Sequence, residues 1–268
     1  MSKVVLITGS SSGIGRETAD YFACRGWKVV ATMRNPPEKW LGSPKATKNI
    51  DITRLDVLDI ESIRKAVQFA LDRHGRIDVV VNNAGYSLAG DFESSTREQI
   101  ERQIRTNLMG LIDVTKEVVP LFKSKGCGTI INVSSIAGRV AIPRFSIYNC
   151  TKWGVEGFSE AIYHELRPHG IRVKIIEPGI IDTDFYGRSM DVAGSEGAKD
   201  PGAQATKESG QRGSPPVVIA KVIFKAATSR GNRLRYGAGK MHASVVVFRK
   251  LLPEGLFLRL VARMSKKM

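Results

Sequence analysis

Cysteine is scarce. The 268 residues hold three, Cys24, Cys127 and Cys150, with no CxxC pair and no zinc-type spacing. This excludes a disulfide framework. An odd, sparse set fits a reducing compartment, so a cytoplasmic location is expected, with each thiol a small buried side chain. Histidine is scarce too: His74, His164, His169 and His242 fall at no ligand spacing, so no metal is expected. No apolar run approaches the roughly 18 residues that read as a spanning helix. The apolar run near the N-terminus, Val4–Ile7, is shorter than the roughly 7–15 residues of a secretory h-region. Acids are scarce toward the C-terminus. From Lys221 to Met268, twelve Lys/Arg accompany one acid, Glu254, in a chain of net charge +15. Such a stretch can attract nucleic acid, anionic lipid or an anionic cofactor. No nucleic-acid module accompanies it, so nucleic acid is not expected and a solvated basic surface is the favoured reading.

What the chain does have is apolar content, 42%, enough for a sizeable core. Short apolar or β-branched runs alternate with helical patterns. Strands are expected at Val4–Thr8, Lys28–Met33, Ile50–Leu55, Asp78–Asn82, Thr129–Val133 and Val173–Glu177. Helices are expected at Gly15–Arg25, Ile60–His74, Arg97–Lys123 and Ser146–Arg167. This order predicts an α/β fold: a Rossmann-type, doubly wound parallel sheet with helices on both faces, as a single domain over 1–268. Runs such as VVLI and DVVV suit strands buried on both sides. Gly187 to Pro216 is rich in Gly, Ser, Ala and charge and reads as a substrate loop. Residues 241–268 read as a basic helical extension that Pro253 and Gly255 split into two short helices.

Between the first strand and the first helix lies Thr8-Gly9-Ser10-Ser11-Ser12-Gly13-Ile14-Gly15. Its glycines permit a tight turn, and the helix start offers N–H groups and a dipole to a pyrophosphate. The spacing is GxxxGxG rather than GxGxxG. This TGxxxGxG resembles the cofactor motif of the short-chain dehydrogenases, and further matches follow in family order: Asn82-Asn83-Ala84-Gly85, Asn107, Ser135, the YxxxK of Tyr148 and Lys152, then Pro178-Gly179 with Thr183. The likeness spans about Val4 to Thr183.

Tyr148 and Lys152 stand four apart on an expected helix and so share a face. A free phenol has a pKa near 10, too high for a base at neutral pH, and a neighbouring ammonium favours the phenolate. The resemblance implies that Tyr148 exchanges a proton with the substrate oxygen, that Ser135 hydrogen-bonds that oxygen, and that Lys152 also holds the nicotinamide ribose. Asn107 is then the residue that holds a water linking Lys152 to solvent. Each also has a plain structural reading: a surface pair for Tyr148 and Lys152, a cap for Ser135, a helix break for Asn107. The resemblance places the cofactor on Gly9, Ser12, Gly13, Ile14, Gly15, Arg34, Asp56, Val57, Asn83, Ala84, Gly85, Tyr148, Lys152, Pro178, Gly179, Ile181 and Thr183.

The second strand ends on Met33, where NAD-specific members carry an acid, and Arg34 follows. A guanidinium can bond a phosphate bidentately, so NADP(H) is expected to be preferred, with NAD(H) open. The activity implied is interconversion of a carbonyl and an alcohol. The chain looks similar to hydroxysteroid and retinol dehydrogenases in particular. This implies an apolar steroid-, retinoid- or lipid-like substrate, with xenobiotic carbonyls also open. Ile136, Pro143, Phe145, Ile181, Phe185 and Tyr186 are candidate pocket residues, which any such fold also packs near its cleft. The alternative is a regulatory protein of the same fold that binds cofactor with little catalysis. A homodimer or homotetramer is implied, with Arg97–Lys123 and Ser146–Arg167 pairing between subunits. Membrane-surface contact through the basic extension is the less favoured reading.

Overall fold

The structure, a computed structural model, describes residues 2–40, 44–186, 189–194 and 210–265. Among them nine strands occur: β1 (Val4–Ile7), β2 (Lys28–Met33), β3 (Ile50–Arg54), β4 (Val79–Asn82), β5 (Ser87–Ala89), β6 (Gly128–Val133), β7 (Ile171–Pro178), β8 (Met190–Val192) and β9 (Arg235–Ala238). Seven form one sheet in the order β3-β2-β1-β4-β6-β7-β9, with every pairing parallel. The chain builds outward from β1 to β3, then returns to β4 on the other side of β1. That reversal leaves a crevice at the carboxyl ends of β1 and β4, where ligands bind in open α/β sheets.

The helices are α1 (Gly13–Ala23), the single turn α2 (Pro44–Thr47), α3 (Ile60–His74), α4 (Arg97–Ile104), α5 (Gly110–Lys125), α6 (Ser146–Leu166), α7 (Val217–Thr228), α8 (His242–Leu251) and α9 (Glu254–Ser265). Both faces of the sheet are covered. On β1, Val5 and Ile7 join a core with Phe22 of α1 and Ile219 and Ile223 of α7. Val4 and Leu6 point the other way, to Ile63 of α3, Val114 and Val118 of α5 and Ile162 of α6. This is the alternation of a strand buried on both faces. The predicted doubly wound parallel sheet is therefore the observed fold.

Three features depart from the expected pattern. The seventh strand, β9, was not expected. The helix expected over Arg97–Lys123 is interrupted by a π-helical turn, Arg105–Met109. The segments Ser87–Ala89 and Met190–Val192 pair as a separate two-stranded parallel ribbon.

A buried polar chain ties α6 to the sheet. Asn82 Nδ2 donates to Asn132 Oδ1 at 2.9 Å and to Thr115 Oγ1 at 3.1 Å, while Asn132 Nδ2 donates to Ser159 Oγ at 2.8 Å. Buried amide N–H groups seek partners, and these bonds help set the position of α6, which carries Tyr148 and Lys152, while Asn82 Oδ1 finds no partner among the described residues.

Candidate active site

The β1–α1 turn and the segment after β4 press together. Gly9 has φ +69°, and a Cβ there would stand 2.8 Å from Ala84 Cα. At Gly15 a Cβ would lie 2.3 Å from the Gly9 carbonyl oxygen, so neither position accepts a side chain. Thr8 Oγ1 accepts from the Asn83 and Ala84 N–H groups, both at 3.0 Å, and Asn83 Nδ2 donates to the Thr8 and Gly9 carbonyls at 2.9 and 3.1 Å. Two motifs 70-odd residues apart thus form one rigid rim.

Behind this rim a cleft of about 720 Å³ opens at the carboxyl ends of the strands. It collects Gly9, Ser12, Gly13, Ile14, Gly15, Arg34, Asp56, Val57, Asn83, Ala84, Gly85, Pro178, Gly179, Ile181 and Thr183, together with Ser135, Tyr148 and Lys152. The cleft suits a nicotinamide dinucleotide. The start of α1, which has no side-chain cap bond and no acid in its first turn, offers its dipole to an anion such as a pyrophosphate. The glycine turn lets a ligand approach the backbone.

Lys152 is buried, and its Nζ donates to the Val133 carbonyl at 2.9 Å. Burial pushes its pKa down to about 8, an effect the nearby Glu156 opposes. At pH 7 it is therefore mainly an ammonium. Its Nζ lies 5.7 Å from the Tyr148 ring centroid, as the shared helix face requires. The Tyr148 ring meets Phe145 edge-on at 6.2 Å and Phe185 at 6.0 Å. Ser135 Oγ accepts from the Ala137 N–H at 3.1 Å, capping a short turn. That bond uses an acceptor lone pair and leaves the hydroxyl proton to donate.

Asn107 is buried in the π-helical turn and does not line the cleft. Its Oδ1 accepts from the Tyr86 N–H at 3.0 Å, and its Nδ2 donates to the Tyr86 carbonyl at 2.8 Å. It holds the Asn83–Tyr86 segment from behind. π-turns often mark functional positions in helices.

One turn beyond Lys152 lies a buried charge cluster that motif reading did not reveal. Glu156 pairs with Arg235 at 2.9 Å, and Glu177 pairs with Arg139 at 3.2 Å and Arg235 at 3.5 Å. His242 Nε2 stands 2.9 Å from Glu177 Oε2. Burial, reinforced by the charge of Glu177, pushes the Glu156 carboxyl up. Glu177 directly precedes Pro178-Gly179, Arg139 follows the Ser135 turn, and His242 begins α8. One carboxylate therefore ties three walls together.

The opposite wall likewise carries no sequence motif. Arg102 pairs with Asp191, and its Nε donates to the Tyr86 hydroxyl at 3.2 Å; all three residues line the cleft. No motif marks them, because they meet only when β5 and β8 pair. Among the apolar candidates, Ile181 and Phe185 line the cleft. Ile136 instead turns away, buried with Val140 and Phe257, and Pro143 is exposed. The Tyr186 side chain, and residues 187–188 and 195–209 of the expected substrate loop, lie outside the described residues. The described part of that loop includes β8, which Gln99 Nε2 fastens by donating to the Val192 carbonyl at 2.9 Å.

The chain matches the short chain dehydrogenase family over residues 3–191. It is 39% identical over 214 residues to an uncharacterized oxidoreductase of Schizosaccharomyces pombe, covering 79% of this chain and 91% of that one. It is 38% identical over 186 residues to a 3-ketodihydrosphingosine reductase of Bacteroides thetaiotaomicron, covering 68% of this chain and 65% of the relative. Among solved structures, a short-chain dehydrogenase from Streptomyces avermitilis superposes with TM-score 0.79 at 28% identity, covering 99% and 97% of the two chains. ElxO with NADP bound superposes with TM-score 0.71 at 27% identity, covering 88% and 98%. The order of motifs read from the chain agrees with these likenesses, and the chain belongs to the short-chain dehydrogenase/reductase family, as an NAD(P)-dependent oxidoreductase that interconverts carbonyls and alcohols.

Proposed function

We propose that the protein is an NADP(H)-preferring reductase or dehydrogenase of an apolar, steroid-, retinoid- or lipid-like ketone or aldehyde. The observation that carries the cofactor preference is the end of β2. Met33 is buried there, Arg34 is exposed, and both line the cleft. No carboxylate stands at that strand end to repel a 2′-phosphate, and Arg34 can bond one. The NADP-bound neighbour supports this reading. An apolar substrate is supported by Ile181, Phe185 and Met190 in the cleft, and by the relative named for a 3-ketodihydrosphingosine.

When bound, the nicotinamide supplies or receives the hydride. Tyr148 gives its phenolic proton to the carbonyl oxygen in reduction and takes one from the alcohol in oxidation. Ser135 donates to the same oxygen as charge develops there. Lys152 keeps a positive field on Tyr148 and bonds the nicotinamide ribose. Asn107 holds the segment beside them and joins the proton relay from Lys152 to solvent. The loop at 187–216 serves the substrate. The protein acts in a reducing compartment, the cytoplasm, with its thiols Cys24, Cys127 and Cys150 unpaired. It works as a homodimer or homotetramer through α4, α5 and α6, a reading supported by the exposed Met109 and Trp153.

Turnover of a panel of ketones, aldehydes and alcohols with NADPH and with NADH tests the proposal. The expected result is use of apolar carbonyls with NADPH favoured. Equal or better use of NADH overturns the preference, and cofactor binding with no turnover on any substrate overturns catalysis in favour of a regulatory role.

A further inference from the structure

The last two helices have two apolar sides. Their inner sides are accounted for: Val245, Leu252, Phe257 and Val261 pack on Ile136, Val140 and Ile142, the segment just after Ser135. This contact orients both helices. The outer surface carries Val247, Phe248 and Leu251 on α8 and, on α9, Leu256 and Leu260 on one flank with Leu258 on the other, all exposed, with Leu251 at 75%. These are six of the eleven large apolar side chains exposed among the described residues, gathered within 14 positions. Val247, Phe248 and Leu251 fall at i, i+1 and i+4, so they share one helix face. A patch of this kind marks an interaction site.

Charge selects the occupant. Arg249 and Lys250 on α8 and Arg259 and Arg263 on α9 flank the apolar residues. The lone acid, Glu254, lies 3.7 Å from Arg249. A second copy of this chain would bring Lys250, Arg259 and Arg263 toward their own counterparts with almost no acid to answer them. A surface with apolar depth and anionic head groups complements both features at once. Among the described residues no helix is long and apolar enough to cross a membrane, so the contact is interfacial.

We propose that α8 and α9 dock the protein on an anionic lipid bilayer, with Phe248, Leu251 and Leu256 at the acyl boundary and Lys250, Arg259 and Arg263 among the phosphates. The docked helices rest on the segment that follows Ser135, which brings the catalytic end of the cleft to the lipid surface. This use rests on the reading of an apolar carbonyl substrate, whereas the docking itself does not.

The test is co-sedimentation of the full-length protein with phosphatidylcholine vesicles, with and without phosphatidylserine, at low and high salt. Binding is expected only with phosphatidylserine and is expected to fall as salt rises. Two variants separate the contributions: Phe248→Ser with Leu251→Ser, and Lys250→Glu with Arg259→Glu. Each is expected to weaken vesicle binding by about tenfold or more while leaving turnover of a water-soluble carbonyl unchanged. No binding to phosphatidylserine vesicles at low salt, or binding by either variant as tight as the parent's, overturns the proposal. So does light scattering in which the serine variant halves the mass of the protein, since a second copy then covers the patch. Vesicle binding without turnover of any carbonyl would sink the functional reading and leave the docking standing.

Discussion

Lys152 takes its proposed role at a cost to the fold. Its pKa of about 8 lies below the ordinary 10.5 because burial disfavours the ammonium. Between those values the unfolded chain binds more protons than the folded one, so this group's contribution makes stability rise with pH from about 8 to about 10.5. Below about 8 the folded protein carries the full cost of a buried charge. Lys152→Met is therefore expected to raise the melting temperature at pH 7 while lowering turnover and cofactor affinity. A variant less stable than the parent at pH 7 contradicts this account. Tyr148→Phe keeps the ring against Phe145 and Phe185 and removes the transferable proton. Its turnover should fall by about 100- to 10,000-fold with cofactor binding retained, and cofactor titration beside steady-state rates will show whether the two separate. At the other end of the cleft, Met33→Asp is expected to move preference toward NADH, through a ribose hydrogen bond gained and a 2′-phosphate repelled. The ratio of kcat/KM for the two cofactors measures it.

Among the elements, β7 matters beyond its place in the sheet. Its penultimate residue, Glu177, holds Arg139 beside the Ser135 turn, Arg235 on β9 and His242 at the start of α8. Replacing a buried charge that several partners share leaves those partners unanswered, typically at about 3–5 kcal/mol. Glu177→Gln should lose stability of that order in chemical denaturation. It should also raise KM for the carbonyl more than it lowers kcat, because the walls loosen while Tyr148 and Lys152 stay anchored through the Asn82–Asn132–Ser159 chain. An unchanged denaturation midpoint would show that the cluster carries no such energy. The π-turn at Arg105–Met109 works in a similar way: it buries Asn107 where both its amide groups meet the Tyr86 backbone.

At the scale of the whole molecule, the proposed association through α4, α5 and α6 gives Trp153 a use. An exposed Trp at 47% is an expensive surface residue unless a partner covers it. Trp153→Glu is expected to turn an oligomer into monomer by light scattering at micromolar concentration, and a parent protein already monomeric there removes the reading. The two exposed apolar regions, one at Trp153 and one on α8 and α9, then have different occupants.

The sequence by itself determined the parallel sheet of six strands and the whole motif set. Those features are written in local patterns: VVLI, DVVV and TIINV as buried strands, glycines that only a tight turn requires, and a Tyr–Lys pair at helical spacing. All of the named cofactor residues fall on one cleft, because the βα connections of such a sheet all end on the same side. Tertiary structure alone decided the rest. β9 is only Arg235–Ala238 and includes a glycine, so it has no strand signature of its own. It exists because β7 offers an edge, and because buried Lys174 holds the Gly231 and Arg233 carbonyls at 2.5 and 2.7 Å just before it. The Glu156–Glu177–Arg235–His242 cluster and the Arg102–Asp191 wall join residues about 60 to 90 positions apart on separate elements, so no spacing rule announces them. Ile136 illustrates the same limit. Its neighbours in sequence point to the cleft, but its own side chain is claimed by Phe257, more than a hundred residues away, because burial against an apolar partner is settled by packing and not by proximity along the chain.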